Sequence, residues 1–118
     1  MSRTFIIIKD QFAALHSWPD CPYEEVAFIR NPHRHIFYVQ LKIEVSHDDR
    51  ELEFFMVKKV LSKILHDIYA DRDLGPNSCE MLCKDIKLAF EIKFPRKIRI
   101  YSISVSEDNE NGSEVTFY

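Results

Sequence analysis

The sequence predicts an α+β domain, an antiparallel sheet with two helices packed on one face, in the order β-β-α-α-β-β. Three observations carry this prediction. Residues 33–45 alternate apolar and polar side chains, two stretches in the middle of the chain place apolar residues at helical spacing, and β-forming runs are grouped at both ends. With 118 residues and no internal repeat or linker, residues 1–118 are expected to form one domain.

The first strand begins at Thr4–Ile8, rich in β-formers, and continues through Phe12 toward His16, where Trp18-Pro19-Asp20-Cys21-Pro22 reads as a loop. The second strand is the clearest element. His33, His35, Phe37, Val39, Leu41, Ile43 and Val45 share one face, while Arg34, Tyr38, Gln40, Lys42 and Glu44 share the other. After a polar turn at Ser46–Arg50, where Asp48 or Asp49 is suited to capping, Phe54, Val57, Leu61, Ile64, Leu65 and Ile68 define an amphipathic helix with Lys58, Lys59 and Lys63 between them. Leu74-Gly75-Pro76-Asn77-Ser78 breaks that helix, and Asn77 or Ser78 caps a second one whose apolar face holds Leu82, Cys83, Ile86 and Phe90. Beyond Pro95, Lys97–Ser106 and Glu114–Tyr118 read as strands joined by the turn residues Asp108–Gly112.

A net charge of −3, with cations scattered along the chain, gives no electrostatic footprint for a phosphate backbone, so nucleic acid is not an expected partner. The apolar run Phe5–Ile8 is too short to cross a membrane and lacks a signal peptide's layout, which predicts a soluble, cytoplasmic protein. Cys21, Cys79 and Cys83 have no disulfide-framework spacing, so reduced thiols are expected. Cys79 and Cys83 read as small buried apolar residues on one helix face.

The histidines carry the chemistry. His33 and His35, two apart in a strand, project from the same face about 7 Å apart along the backbone. His16 ends the first strand, which a long hairpin sets beside the start of the second. Three imidazoles on one ion with an open fourth position form the catalytic kind of zinc site, able to polarise a carbonyl or hydroxyl. His47 and His66, in the turn and late in the first helix, read as solvated surface residues.

The stretch Phe12-Ala13-Ala14-Leu15-His16, followed by Pro19 and then by His33-Arg34-His35, resembles the F-x-A-x-H and H-G-H signatures of the 6-pyruvoyl/6-carboxy-tetrahydropterin synthase family and its relatives in deazaguanine (queuosine) biosynthesis. Ser78-Cys79-Glu80 with Leu82 resembles that family's helix-opening substrate segment, and Glu107 resembles its ring-anchoring glutamate. The resemblance runs through most of the chain and implies the tunnelling fold, zinc on His16, His33 and His35, and a pterin or purine-like ligand contacted by Ser78, Cys79, Glu80 and Glu107. It also implies a homo-oligomer, trimer or hexamer, with sites between subunits.

Two features depart from the family pattern. Val26–Pro32 holds no cysteine where the family has its catalytic thiol, which leaves Cys21 as the candidate base, and no Asp-His pair lies between the helices. His66-Asp67 has those residue types in reversed order, within the first helix. The resulting expectation is a zinc-dependent lyase acting on a dihydroneopterin-type or related purine-derived substrate. The alternatives are an inactive relative that binds or sequesters a guanine-like nucleotide, and a structural oligomer in which the histidines are incidental.

Overall fold

A computed structural model describes residues 1–118. Four strands form one antiparallel sheet in sequence order: β1 (Thr4–His16), β2 (His33–Val45), β3 (Arg99–Glu107) and β4 (Asn111–Thr116). Two helices, α1 (Phe54–Ile64) and α2 (Cys79–Lys93), lie between β2 and β3 in the chain and contribute to one shared core. The expected α+β architecture and element order are thus observed.

The alternation in β2 does what it predicts: Phe37, Val39, Leu41, Ile43 and Val45 are buried in the core, and the intervening residues are partly exposed on the other face. α1 and α2 complete the core with Val57, Leu61, Ile64, Leu82, Cys83, Ile86 and Phe90. Burying each of the larger of these side chains removes enough apolar surface from water to contribute ~1.5–3 kcal/mol, which is why the apolar stripes of the helices face the sheet.

The strand β3 alternates only loosely because it carries a bulge. Lys42 pairs with Ser102 and Ile43 with Ile100, so Tyr101 is an extra residue and the inward phase switches. Ile100 and Ile103, an odd number of residues apart, are consequently both fully buried, and Val105 and Glu107 follow on the core side.

α1 ends in a widened turn of π-type, Leu65–Tyr69, that adds a residue to the winding. Tyr69 therefore enters the core where ordinary helical spacing would send Ile68, which is 38% exposed. Beyond it, residues 71–75 run along the outer edge of β1: Asp71 N donates to Ala13 O (2.7 Å), Leu15 N to Arg72 O (2.9 Å), Leu74 N to Leu15 O (2.7 Å) and Ser17 N to Gly75 O (2.9 Å). Positive φ at Asp71 (61°) and Gly75 (64°) lets the chain turn into and out of this run. Ser78 caps α2, its hydroxyl accepting from Met81 N at 3.2 Å.

The hairpin between β3 and β4 is tighter than the turn residues suggested. Asp108 and Asn109 both take positive φ (54° and 58°), Glu110 N donates to Glu107 O at 2.9 Å, and β4 starts at once at Asn111. A seven-residue 3-10 segment, Glu24–Arg30, lies in the connection between β1 and β2, beyond the loop expected at residues 18–22.

Candidate metal centre

The register places the histidines before any side-chain geometry is considered. His16 pairs directly with His33 at the ends of β1 and β2, Ala14 pairs with His35, and Phe37 pairs with Glu107 on β3. All four polar residues lie toward the helix-covered side at one end of the sheet, where the apolar core stops. The imidazoles meet edge to face, with ring centroids 4.6 Å apart for His16–His33, 4.9 Å for His33–His35 and 5.3 Å for His16–His35. Phe37 closes the inner side, edge-on to His16 and His35.

Each imidazole has one nitrogen committed. His16 Nδ1 lies 2.9 Å from the Asn77 carbonyl, His33 Nδ1 2.8 Å from the Asn31 carbonyl, and His35 Nδ1 2.7 Å from Asp108 Oδ2. Carbonyl and carboxylate oxygens only accept, so all three Nδ1 atoms carry the proton and the neutral rings keep their lone pairs on Nε2. An acceptor behind the distal nitrogen is the usual support of a metal-ligating histidine.

The ligand atoms of His16, His33, His35 and Glu107 all lie within 4.8 Å of one another. Glu107 Oε2 is 2.8 Å from His16 Nε2 and 3.7 Å from His35 Nε2. The shorter approach lacks hydrogen-bond alignment, and buried His16 Nε2 has no hydrogen-bond partner. A buried acceptor without a donor is costly, and an ion at that point would satisfy it. In a tetrahedral zinc site the ligand atoms stand ~3.3 Å apart, as follows from Zn–N and Zn–O distances of ~2.0–2.1 Å. The 2.8 and 3.7 Å separations fall on either side of that value. The residues fit a divalent metal of zinc's preferences.

The remaining candidates lie around this cluster unequally. Ser78 and Cys79 begin α2 just beyond Asn77, whose carbonyl holds His16. Cys79 is buried, and burial, followed by the nearby Glu107, Cys83 and Glu80, pushes its thiol up to about 12. Glu80 accepts from Ser113 Oγ at 2.9 Å, and its own backbone N–H with that hydroxyl keeps its carboxyl below the usual range. Cys21 is buried in the loop after β1, its Sγ facing the Tyr23 carbonyl at 3.8 Å while Arg30 Nε donates to its own carbonyl at 2.9 Å. It lies outside the cluster of converging ligand atoms. His47 and His66 are exposed and apart from the cluster, as expected of surface residues.

Sequence reasoning missed Asp108, which it absorbed into the hairpin turn. Its Oδ2 meets His35 and its Oδ1 accepts from Ile36 N at 2.9 Å; that amide first, and His35 second, hold its carboxyl below the usual range. The available signal was its position directly after Glu107. Asn31 and Asn77 act through backbone carbonyls, for which side-chain identity gives no signal.

A four-stranded antiparallel sheet with two long helices on one face, and histidines gathered at one end, defines the class to which the chain belongs by fold. No family model matches the sequence, and no curated protein matches it. Among solved structures, 6-pyruvoyl tetrahydropterin synthase from Caenorhabditis elegans is similar with a TM-score of 0.78 at 16% identity, over 100% of this chain and 98% of that one. An uncharacterized protein from Wolinella succinogenes is similar with a TM-score of 0.70 at 11% identity, over 98% and 99% of the two chains. The chain has the fold of 6-pyruvoyl tetrahydropterin synthase, and the resemblance read from its motifs holds at the level of the fold.

Proposed function

We propose that this protein is a zinc-dependent lyase of the pterin-synthase type, acting on a dihydroneopterin-type or related purine-derived substrate. The observation that carries the reading is the convergence of ligand atoms of His16, His33 and His35 within 4.8 Å of one another, with an acceptor at Nδ1 of each ring. His16, His33 and His35 would hold the ion. When bound, it would supply Lewis acidity toward a carbonyl or hydroxyl oxygen of the substrate.

In this reading Glu107, which stands among the ligand atoms, would leave the fourth position open to the substrate and serve the ring. A carboxylate accepts the adjacent N–H and amino groups of a pterin or guanine-like edge in one two-pronged contact, which fixes the ring's orientation. Ser78, Cys79 and Glu80 would line the same ligand from the start of α2. Cys21 is the candidate for moving protons, a role that requires its loop to bring Sγ to the substrate. The protein would act as a homo-oligomer, trimer or hexamer, with neighbouring subunits completing the site. Exposed large apolar side chains, among them Phe28, Phe55 and Ile92, support association.

A second reading, a relative that binds or sequesters a guanine-like nucleotide without turnover, is favoured by one observation: no cysteine belongs to the ligand cluster, and Cys79, raised by burial and then by Glu107, is held protonated. Zinc analysis of the purified protein beside His33→Ala tests the ion common to both readings, with about one zinc per chain expected in the wild type and background in the variant. Equal background levels in both would remove both readings. Incubation with dihydroneopterin triphosphate and product analysis then divides them, because a tightly held but unchanged substrate selects the binder. Normal turnover in Cys21→Ala would end that residue's role as base.

A further inference from the structure

We propose that Asp108 is a positioning residue that sets the tautomer and aim of His35, so that metal affinity at this site depends on a carboxylate from the β3–β4 turn. The inference rests on the metal-binding reading of His16, His33 and His35, but concerns a residue outside that ligand set.

The geometry is specific. Asp108 Oδ2 is 2.7 Å from His35 Nδ1, Oδ1 accepts from Ile36 N at 2.9 Å, and Asp108 N donates to Ile36 O at 2.8 Å. The residue therefore grips both backbone polar groups next to His35 while holding the imidazole itself. It does so from a left-handed backbone, φ 54°, in the turn between β3 and β4. A helix-cap or ordinary turn aspartate uses its carboxylate on local amides; this one reaches across to the neighbouring strand, with both oxygens occupied by β2.

The chemistry follows from the pairing. A carboxylate accepting from Nδ1–H keeps the proton there and makes Nε2 more electron-rich, which strengthens Nε2 as a ligand. Asn31 and Asn77 offer His33 and His16 neutral carbonyls. His35 alone has a charged partner on its Nδ1, so it is the ring whose donor strength responds most to a change behind it.

Two substitutions separate the carboxylate from the backbone it stands on. Asp108→Gly accepts the positive φ without strain and removes both oxygens. Asp108→Asn keeps the shape and also tolerates this backbone, but its one acceptor oxygen cannot serve both His35 Nδ1–H and Ile36 N–H, since the other arm is a donor. The probe is zinc alone, its affinity measured by competition with a chromophoric chelator. The protonated nitrogen of His35 is read in the metal-free protein by ¹⁵N NMR at one fixed pH.

Expected are a loss of affinity of about 10- to 100-fold in Asp108→Gly, a smaller loss in Asp108→Asn, and a His35 ring no longer held in the Nδ1–H form in either. Glu51→Gln, which alters a different carboxylate that clamps a turn by accepting from Ser46 N at 2.8 Å, should leave zinc affinity and the His35 ring unchanged. If the wild type binds zinc and both Asp108 variants match it within about twofold with His35 unaltered, the proposal is overturned while the metal reading stands. If the wild type binds no zinc, both fall. Should Asp108→Gly fail to fold, Asp108→Asn decides by the same two readouts.

Discussion

At the scale of single residues, the three histidines were legible because their positions carry geometry: two share a strand face by period, and the third falls at the end of the paired strand. What supports them as a candidate site, the acceptor behind each Nδ1, was not legible. Two of those acceptors are backbone carbonyls, and the third, on Asp108, depends on a turn conformation and on β2–β3 pairing. The cysteines give a prediction at this scale. Burial raises Cys79 to about 12 and Cys83 to about 11, so the reactive thiolate form of each gains population only as pH rises toward those values. At pH 8 the thiolate fractions are on the order of 10⁻⁴ and 10⁻³, and neither residue should be alkylated by iodoacetamide in the native protein on the timescale of a free thiol. Mass-spectrometric mapping checks this, and prompt labelling of Cys79 would contradict its burial beside Glu107.

At the scale of elements, strict alternation made β2 readable to its ends, and helical spacing made α1 and α2 readable. The details that periodicity does not reach are those where a local irregularity overrides the period. The bulge at Tyr101 switches the phase of β3, the π-type turn exchanges Ile68 for Tyr69 in the core, and the 3-10 segment Glu24–Arg30 buries no residue and so leaves no apolar rhythm to detect. The hairpin that sets Glu107 and Asp108 against the histidines also depends on Gly112. A Cβ there would lie 2.4 Å from Val105 O and 2.5 Å from Ser106 Cα, backbone atoms that cannot move aside without breaking the β3–β4 pairing. Gly112→Ala should therefore destabilise the fold by more than the ~1 kcal/mol typical of a point substitution; a thermal midpoint equal to that of the wild type would contradict this packing. Ser78→Ala should cost ~1 kcal/mol through loss of the α2 cap, detectable as a lower midpoint in chemical denaturation. Because Asn77 immediately precedes that cap, fraying there should also loosen the hold on His16.

At the scale of the whole molecule, the fold was legible because element order, layer arrangement and motif spacing agree with one another. In the sequence the proposed homo-oligomer rests on the resemblance alone, since nothing in the period of a strand says what lies beyond its edge. The Cα radius of gyration is 15.5 Å, with extents of 51 × 32 × 21 Å; a compact chain of this length would have a radius of ~13.5 Å. A flat, elongated chain carrying exposed apolar side chains is suited to association, and under the proposed homo-oligomer sedimentation equilibrium should return a mass at a multiple of the single chain. A sharp monomer at micromolar concentration would refute the oligomer. The central claim is that His16, His33 and His35 ligate one divalent ion through Nε2. X-ray absorption at the zinc edge of the zinc-loaded protein tests it most directly. The account predicts one zinc per chain with three imidazole nitrogens at ~2.0–2.1 Å; a first shell with no imidazole scattering, or no retained zinc, would contradict it.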